Sequence, residues 1–449
     1  MSDETTTMES AAELLASLAR GLGADGWDLV CTRTDSEGVD FAGGKADQLR
    51  LQNDRGLGIR IFRDGRPGYA STGRLTRPAI ERMVRDAWDH TFLADPMPVE
   101  LPKPEAPSAP EPILADPAVE SLGLPELEKF SAALDRRVRE LSDEIEEIPE
   151  LGAEKTLFRS LFLNSNGVSF SRRVTTVAAG LGVVLSRNGQ TKMGVRTLVR
   201  RGPEALDAEL LAVESVERGR SLLGAKPVES GEWPILFENR IAGALMGMYG
   251  SSLHALAAQK GQSRLAGKTG ERIASELLTL RDDPHRMDLS GSRLFDSEGV
   301  PTRPIVPIEK GILKEWLHCL ESAAREGARP TGNGSRGCSG AAGTSFRNLI
   351  VDRGSETRAQ LMARHPRMLF VTKLEGATGC SAISGELSIG VQGFLVEGGE
   401  IVRPVDHVTV SGDWFRMLRE IEGVGDSYAD PYASTQVPDL LFERAKVSG

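Results

Sequence analysis

The 449-residue chain has only four cysteines, Cys31, Cys319, Cys338 and Cys380. They are scattered, with no Cys-x-x-Cys pair and no framework spacing, so the sequence predicts reduced thiols in a cytoplasmic protein and excludes a disulfide scaffold. Histidine is also scarce: His90, His254, His285, His318, His365 and His407 all lie far apart. No local pair offers the start of a zinc site, which takes three protein ligands and an open position when catalytic. Basic runs are missing, and 54 basic against 64 acidic residues leave a formal charge of −10. Gripping nucleic acid requires clustered Lys and Arg to displace phosphate counterions, so nucleic acid is not an expected partner. The most apolar stretches, Val177 to Leu185 and Ile241 to Gly250, are far shorter than the roughly 20 residues of a bilayer span. The first residues, Met-Ser-Asp-Glu-Thr-Thr-Thr, are acidic and polar, unlike a signal peptide.

What the sequence does hold is glycine, 49 residues of it, favouring a turn-rich fold with many strands. Residues 8–22 read as an amphipathic helix. Four short strands follow at Trp27–Thr34, Val39–Phe41, Gln48–Gln52 and Gly58–Phe62, separated by Gly and Asp. In the last, Leu57, Ile59 and Ile61 share one face while Gly58, Arg60 and Phe62 share the other. A second helix reaches Leu93, with Thr76 as N-cap and Pro78 in its first turn. Eight prolines between Pro96 and Pro117 then predict an extended connector lying on a surface. A charged helix over Leu124–Ile145 carries Leu127, Phe130, Leu134, Val138 and Leu141 on one side. Asn166-Gly167 and Asn188-Gly189 mark hairpin turns. Pro203–Leu223 is expected helical, Trp233–Phe237 a buried strand and Ile241–Gln259 a helix of small residues. Strands and loops follow from Leu294, with helices near Cys319–Arg325, Glu356–Arg364 and Trp414–Glu420.

The fold class expected is α+β in two domains. An α+β region over 1–95, the proline-rich connector over 96–123 and a helix-plus-hairpin region over 124–225 make the first domain. A strand-rich domain over 226–449 makes the second.

Several motifs imitate chemistry. Gly332-Asn-Gly334-Ser-Arg-Gly337 spells a dinucleotide fingerprint, but it lacks the preceding strand and following helix, and is read as a flexible loop. Gly261 to Thr269 resembles a phosphate loop but puts five residues, not four, between its glycines, after a helix. His254 is expected to be a packing residue on an apolar helix. His318 and Cys319 are neighbours in sequence, which rarely face each other. Cys338 and Cys380 lie in glycine-rich loops where a nucleophile could sit, with no histidine placed by sequence to activate either.

From Trp233 onward the chain resembles the TldD/PmbA family, also called modulators of gyrase. The segments that carry the resemblance are Gly267-Lys-Thr-Gly270-Glu-Arg-Ile-Ala-Ser275, Asp282-Asp283-Pro284, Phe295-Asp-Ser-Glu-Gly299-Val-Pro301-Thr302-Arg303-Pro304 and Ile308-Glu-Lys-Gly311-Ile-Leu-Lys. Pro330-Thr331-Gly332-Asn333-Gly334 with Asn348-Leu349, and Gly385-Glu-Leu-Ser-Ile-Gly390-Val-Gln-Gly393-Phe, follow in order. The N-terminal half agrees more loosely, through Gly56-Leu-Gly58 before Asp64-Gly65.

TldD-type chains of that family look like zinc peptidases with His-Glu-x-x-x-His on a helix and a late cysteine ligand. Counting back from Gly270-Glu271, the motif falls on Met246-Gly247-Met248-Tyr249-Gly250-Ser251. Met246, Gly247 and Ser251 replace both imidazoles and the general base, and only Gly250 matches. Positions i and i+5 of a regular helix point about 140° apart, so the active motif needs a distortion that a glycine permits. Gly423 to Asp430 holds no cysteine either. The resemblance therefore implies a TldE-type subunit with no catalytic or metal residues of its own. Its partner would be a TldD-type subunit holding the zinc, in a heterodimer that trims small or unfolded peptides. Two rivals remain at this point: a hydrolase using relocated ligands or Cys338 or Cys380, and a non-proteolytic binding or modulator protein.

Overall fold

Leu57, Ile59 and Ile61 lie on the covered face of a six-stranded antiparallel sheet in the computed structural model, which describes residues 7–449. The acidic residues 1–6 lie outside the described part. The strands are β1 (Gly26–Ala42), β2 (Lys45–Arg63), β3 (Arg66–Thr72), β4 (Ile145–Asn164), β5 (Ser169–Arg187) and β6 (Gln190–Arg200), in spatial order β3-β2-β1-β4-β5-β6. The four short strands expected between Trp27 and Phe62 are therefore two long ones. β1 is paired on both sides, with β2 and β4, from Asp28 to Asp40. Two ladders hold Asp35 and Gly38 extended although both are poor strand formers, so context overrides propensity. Only Gly43 and Gly44, both at positive φ, turn the chain.

Side chains alternate across a strand, so Leu29 and Cys31 share a face with Val39 and Phe41. Helices α1 (Met8–Gly21) and α2 (Arg77–His90) cover that face at one end. Beyond the short α3 (Pro117–Ser121), helices α4 (Leu124–Leu141) and α5 (Ala208–Arg220) cover it at the other. Thr76 stands at the N-cap position of α2 without a side-chain cap bond. The helix expected to reach Ile145 ends at Leu141, because Ile145 already pairs with Leu185 in the sheet. The helix expected from Pro203 begins as one 3₁₀ turn before α5.

The proline-rich segment is extended but is tied down more than a surface connector need be. Proline removes an N–H but leaves a carbonyl to satisfy. The Pro102 carbonyl accepts from Asn164 Nδ2 at 2.8 Å, and the Leu114 carbonyl from Thr175 N at 3.0 Å. Leu114 and Val119 are buried.

The second domain is built on β7 (Gly231–Phe237), the fourth strand of a mixed six-stranded sheet. Across it run Glu400–Asp413, Glu386–Glu397, Arg367–Glu375, β7, Leu440–Ser448 and Ile421–Val424. β7 runs parallel to Arg367–Glu375 and antiparallel to Leu440–Ser448. The helix expected over Ile241–Gln259 is broken. Helix α6 (Asn239–Tyr249) gives way to a 3₁₀ turn, and a short helix resumes at Ala255. The freed backbone groups have other partners: Leu317 N donates to the Leu253 carbonyl at 3.1 Å, and Ala255 N to the Leu317 carbonyl at 2.9 Å.

The domains meet through the opposite face of the first sheet. Arg60 is 1% exposed; its Nε donates to Asp28 at 3.0 Å and its Nη1 to Glu298 at 2.9 Å. Glu298 also accepts Leu320 N at 2.8 Å, and Arg336 pairs with the second Asp28 oxygen. The loop Gly332 to Gly337, expected to be flexible, is instead packed into this contact, with Asn333 and Arg336 buried. Gly58 makes the approach possible: a Cβ there would lie 1.8 Å from the Cys338 carbonyl oxygen.

Removing one member of a buried ion network leaves its partners charged and dry, at about 3–5 kcal/mol. Glu298→Ala should therefore lower the unfolding free energy by an amount in that range, with a sharp fall in the denaturation midpoint. Arg137→Ala, which breaks an exposed pair with Glu209, should leave the midpoint unchanged. Urea titrations of both variants check the contrast, and equal small shifts would refute the role given to the cluster.

Candidate functional site

Helix α6 is where the resemblance puts the metal motif. Its first turn is fixed by Asp439, which accepts Asn239 N at 2.7 Å and is held by the Arg358 guanidinium at 2.7 and 3.0 Å. Ile241, Ala242, Leu245, Met246 and Tyr249 follow helical spacing and form its buried face. Tyr249 stacks on Trp414 with ring centroids 4.9 Å apart and donates its hydroxyl to the Glu386 carbonyl. Burial pushes the Tyr249 phenol well above its ordinary value.

The three positions of the degenerate motif do not converge. Met246 is packed in the core of the second domain, whereas Gly247 and Ser251 are exposed. A Cβ at Gly247 would meet nothing within 4 Å. Gly250 has an ordinary helical φ of −58°, so no backbone freedom is used there. Its value is space, since a Cβ would come within 3.2 Å of the Phe346 ring. The segment where a late cysteine would lie is bonded otherwise: Gly425 N donates to the Asp439 carbonyl at 2.8 Å and Tyr428 Oη to the Val351 carbonyl at 2.9 Å.

The scattered candidates stay apart, except that His318 and Cys319 meet at one hydroxyl. His254 packs beside Phe346, centroids 6.3 Å apart, and burial pushes its pKa down to about 4. His318 is buried, with Nδ1 3.3 Å from Ser322 Oγ, and Cys319 Sγ is 3.5 Å from the same hydroxyl. Cys338 Sγ lies 3.3 Å from Thr32 Oγ1, and burial raises its thiol pKa, which disfavours the nucleophilic thiolate. Cys380 is half-buried with its Sγ 3.8 Å from the Ser388 carbonyl oxygen. Among the described residues no three His, Cys, Asp or Glu side chains are grouped to hold a metal ion. A buried thioether, an exposed glycine and a hydroxyl in the 3₁₀ turn after α6 do not fit the zinc site that the family implies.

Sequence reasoning missed the charged residues that do converge. Asp296 Oδ1 accepts Glu298 N at 2.8 Å and Val300 N at 3.0 Å, and its Oδ2 accepts Gly334 N at 2.8 Å. Burial and the neighbouring Glu298 raise its pKa. Asp282 accepts Arg347 N and Asn348 N at 2.8 and 2.7 Å, as well as Asn333 Nδ2. The signal was present as Asp28 and Arg60, charges inside apolar strands. The Asp-Ser-Glu-Gly-Val-Pro-Thr segment thus builds the domain junction. No helix is long and apolar enough to cross a membrane among the described residues.

His254 gives a pH signature. Its folded pKa lies below the ordinary 6.5, so the unfolded chain takes up the proton first as pH falls. The stability it contributes is present above pH 6.5 and is lost as pH drops towards about 4. His254→Gln should flatten the fall in thermal midpoint over that window. An unchanged slope would show that the imidazole is not held neutral by packing.

Comparisons with known proteins agree on one family. A PmbA/TldA metallopeptidase C-terminal domain model matches residues 230–449, and a model of domain 1 of the same metallopeptidases matches residues 27–90. Metalloprotease PmbA of Escherichia coli O157:H7 is 27% identical over 454 residues, spanning 98% of this chain and 96% of that protein. A crystal structure of a Thermotoga maritima protein, described as a candidate modulator of a DNA gyrase, superposes with a TM-score of 0.89. It is 26% identical and is covered over 98% of this chain and 100% of that one. TldE of Thermococcus kodakarensis shares the fold, with a TM-score of 0.85, 22% identity, and coverage of 98% and 100%. Matched at both ends by models of one family and along nearly its whole length by relatives, this chain belongs to the PmbA/TldD metallopeptidase family.

Proposed function

We propose that this chain is the non-catalytic, TldE-type subunit of a cytoplasmic peptidase, paired with a TldD-type subunit that holds the zinc. The observation that carries this reading is Met246: the position of the first family ligand is an apolar side chain packed in a core. With Gly247 and Ser251 in the other two positions, none of the three carries an imidazole or a carboxylate that could serve as general base.

Two surfaces support a role in assembly. The outward side of α6 and the 3₁₀ turn after it present Ala244, Gly247 and Ser251, all small and exposed, which lets another backbone come close. β2 pairs with β1 along its length, but β3 covers only Leu57 to Arg63. The stretch before it, with Leu49 and Leu51 at 60% and 72% exposure, is a free strand edge. Such an edge accepts a partner strand or an extended peptide through backbone bonds. An enclosed cavity shared by two subunits would admit short or unfolded chains and exclude folded ones, as in the maturation of a precursor peptide.

Co-expression with a family member carrying His-Glu-x-x-x-His should give a stable heterodimer, with an interface above about 1,600 Å². Cleavage of short peptides should require both chains and stop on chelation. A chain that remains alone beside a fully active neighbour would refute the reading. Elemental analysis of the isolated chain should find no stoichiometric zinc. Met246→His, Gly247→Glu and Ser251→His together should still bind zinc poorly and show negligible peptidase activity. The first imidazole would sit in the core, and the late cysteine would still be missing. Robust hydrolysis by that variant would contradict this account of the site.

A further inference from the structure

A second cluster of charge lies where three segments meet: β5, the proline-rich segment and the turn before Asp296. They enclose a cavity of about 300 Å³. Arg172 and Arg293 form one side of it. Neither guanidinium forms an ion pair among the described residues. Arg172 Nη2 reaches only the Ser292 carbonyl at 3.4 Å, its Nε has no partner, and Arg293 Nε reaches the Gly291 carbonyl at 3.2 Å. The charged groups nearby do not neutralise them. Asp282 and Asp296 are each already taken by three hydrogen bonds, and Arg347 adds a further positive charge. Arg173, also on the wall, is paired with Glu120, and Glu111 stands exposed at the rim. Burial and Arg347 push the Arg172 pKa down to about 10, a mark of charge held without a counter-ion.

The rest of the wall is apolar. Phe170 and Phe295 stack with centroids 4.8 Å apart, beside Leu114 and Leu294. Half-buried cations without partners are still costly, and an anion that fills the cavity removes that cost. A hydrated dianion such as phosphate would face aromatic rings, whereas an apolar group with one carboxylate matches both walls. A cavity of about 150 Å³ already holds benzene, so a residue-sized group fits. We propose that this cavity binds a single carboxylate borne on a small apolar group, with the Arg172 and Arg293 guanidiniums as its counter-charge and the Phe170–Phe295 stack as its apolar floor. The proposal does not depend on the heterodimer reading, because every residue of the site belongs to this chain.

Calorimetric titration of the full-length chain tests it with N-acetyl-leucine, N-acetyl-leucinamide and inorganic phosphate. The acid should bind at least tenfold more tightly than the amide and than phosphate. Arg172→Gln should weaken the acid at least tenfold, and Glu111→Gln should leave it unchanged or tighter. Arg293→Gln, which removes the other counter-charge on the cavity wall, should weaken the acid to a similar extent. That variant serves if Arg172→Gln fails to fold. Acetyl-Ala-Ala-Leu binding more tightly than acetyl-leucine would identify the source as a peptide end, and weaker binding would identify a free acid. Equal binding of acid and amide, preference for phosphate, or acid binding untouched by Arg172→Gln and Arg293→Gln would overturn the proposal.

Discussion

The geometry of the molecule depends on one buried guanidinium. Arg60 projects from the middle of β2 and holds Asp28 of its own sheet and Glu298 of the other domain. Burying such charges gains little stability by itself, because desolvation opposes the attraction. What the arrangement supplies is position: only one seating of the sheet satisfies Asp28, Glu298 and the Leu320 amide together. Gly56 and Gly58 then matter as absences of side chain, since Cys338 lies directly on β2. Arg336 closes the cluster through Asp28 while two of its nitrogens find no partner among the described residues. Exclusion of other seatings therefore explains the cluster better than net attraction does.

Of the segments that carry the family resemblance, Asp282–Pro284, Phe295–Pro304 and Pro330–Gly334 with Asn348 are bonded to one another around this junction, whereas Gly385–Phe394 meets α6 through the Glu386 carbonyl. Asp296 organises the turn to Val300, and Thr302 Oγ1 donates to the Arg293 carbonyl at 2.6 Å. Asn348 Oδ1 accepts Gly291 N at 3.1 Å while its Nδ2 donates to the Asp283 carbonyl at 2.7 Å. Gly291 has to be glycine, for a Cβ would sit 1.8 Å from the Arg347 carbonyl oxygen. These residues give turns and a domain contact their shape. A chain can therefore keep them all and still lack every metal donor on α6, because the two sets answer to different physical demands.

Local signals were legible in the sequence and non-local ones were not. Helices α1, α2 and α4 follow from apolar spacing. The hairpin turns follow from Asn166-Gly167 and Asn188-Gly189, with Gly167, Asn188 and Gly189 at positive φ. The continuity of β1 was hidden because Asp35 and Gly38 are extended by ladders on both sides, which no local window contains. The break after Tyr249 was hidden for the same reason, its bonds being taken up by Leu317. The Gly332 to Gly337 loop is packed through partners distant in sequence, such as Asp28 for Arg336 and Asp282 for Asn333, which its glycine spacing does not reveal. At the site, the residue types at 246, 247 and 251 could be read directly. The ion cluster could not, since 238 positions separate Arg60 from Glu298.

On the proposed reading, packing as well as composition opposes a metal motif at positions 246, 247 and 251. Gly247 and Ser251 face outward, and larger side chains there would cost little. Met246 differs. It shares a buried face with Leu245 and Tyr249, and Tyr249 is held by the Trp414 ring and the Glu386 carbonyl. An imidazole at position 246 would need a hydrogen-bond partner in an apolar core or would remain unsatisfied, at about 1–3 kcal/mol. To reach the surface where 247 and 251 lie, α6 would have to rotate and pull Tyr249 from its stack. Substitution at a single position therefore meets an opposing energy before any metal is gained. A helix with its apolar side buried this way is stable as a wall, and its small outward residues leave the space in front of it open.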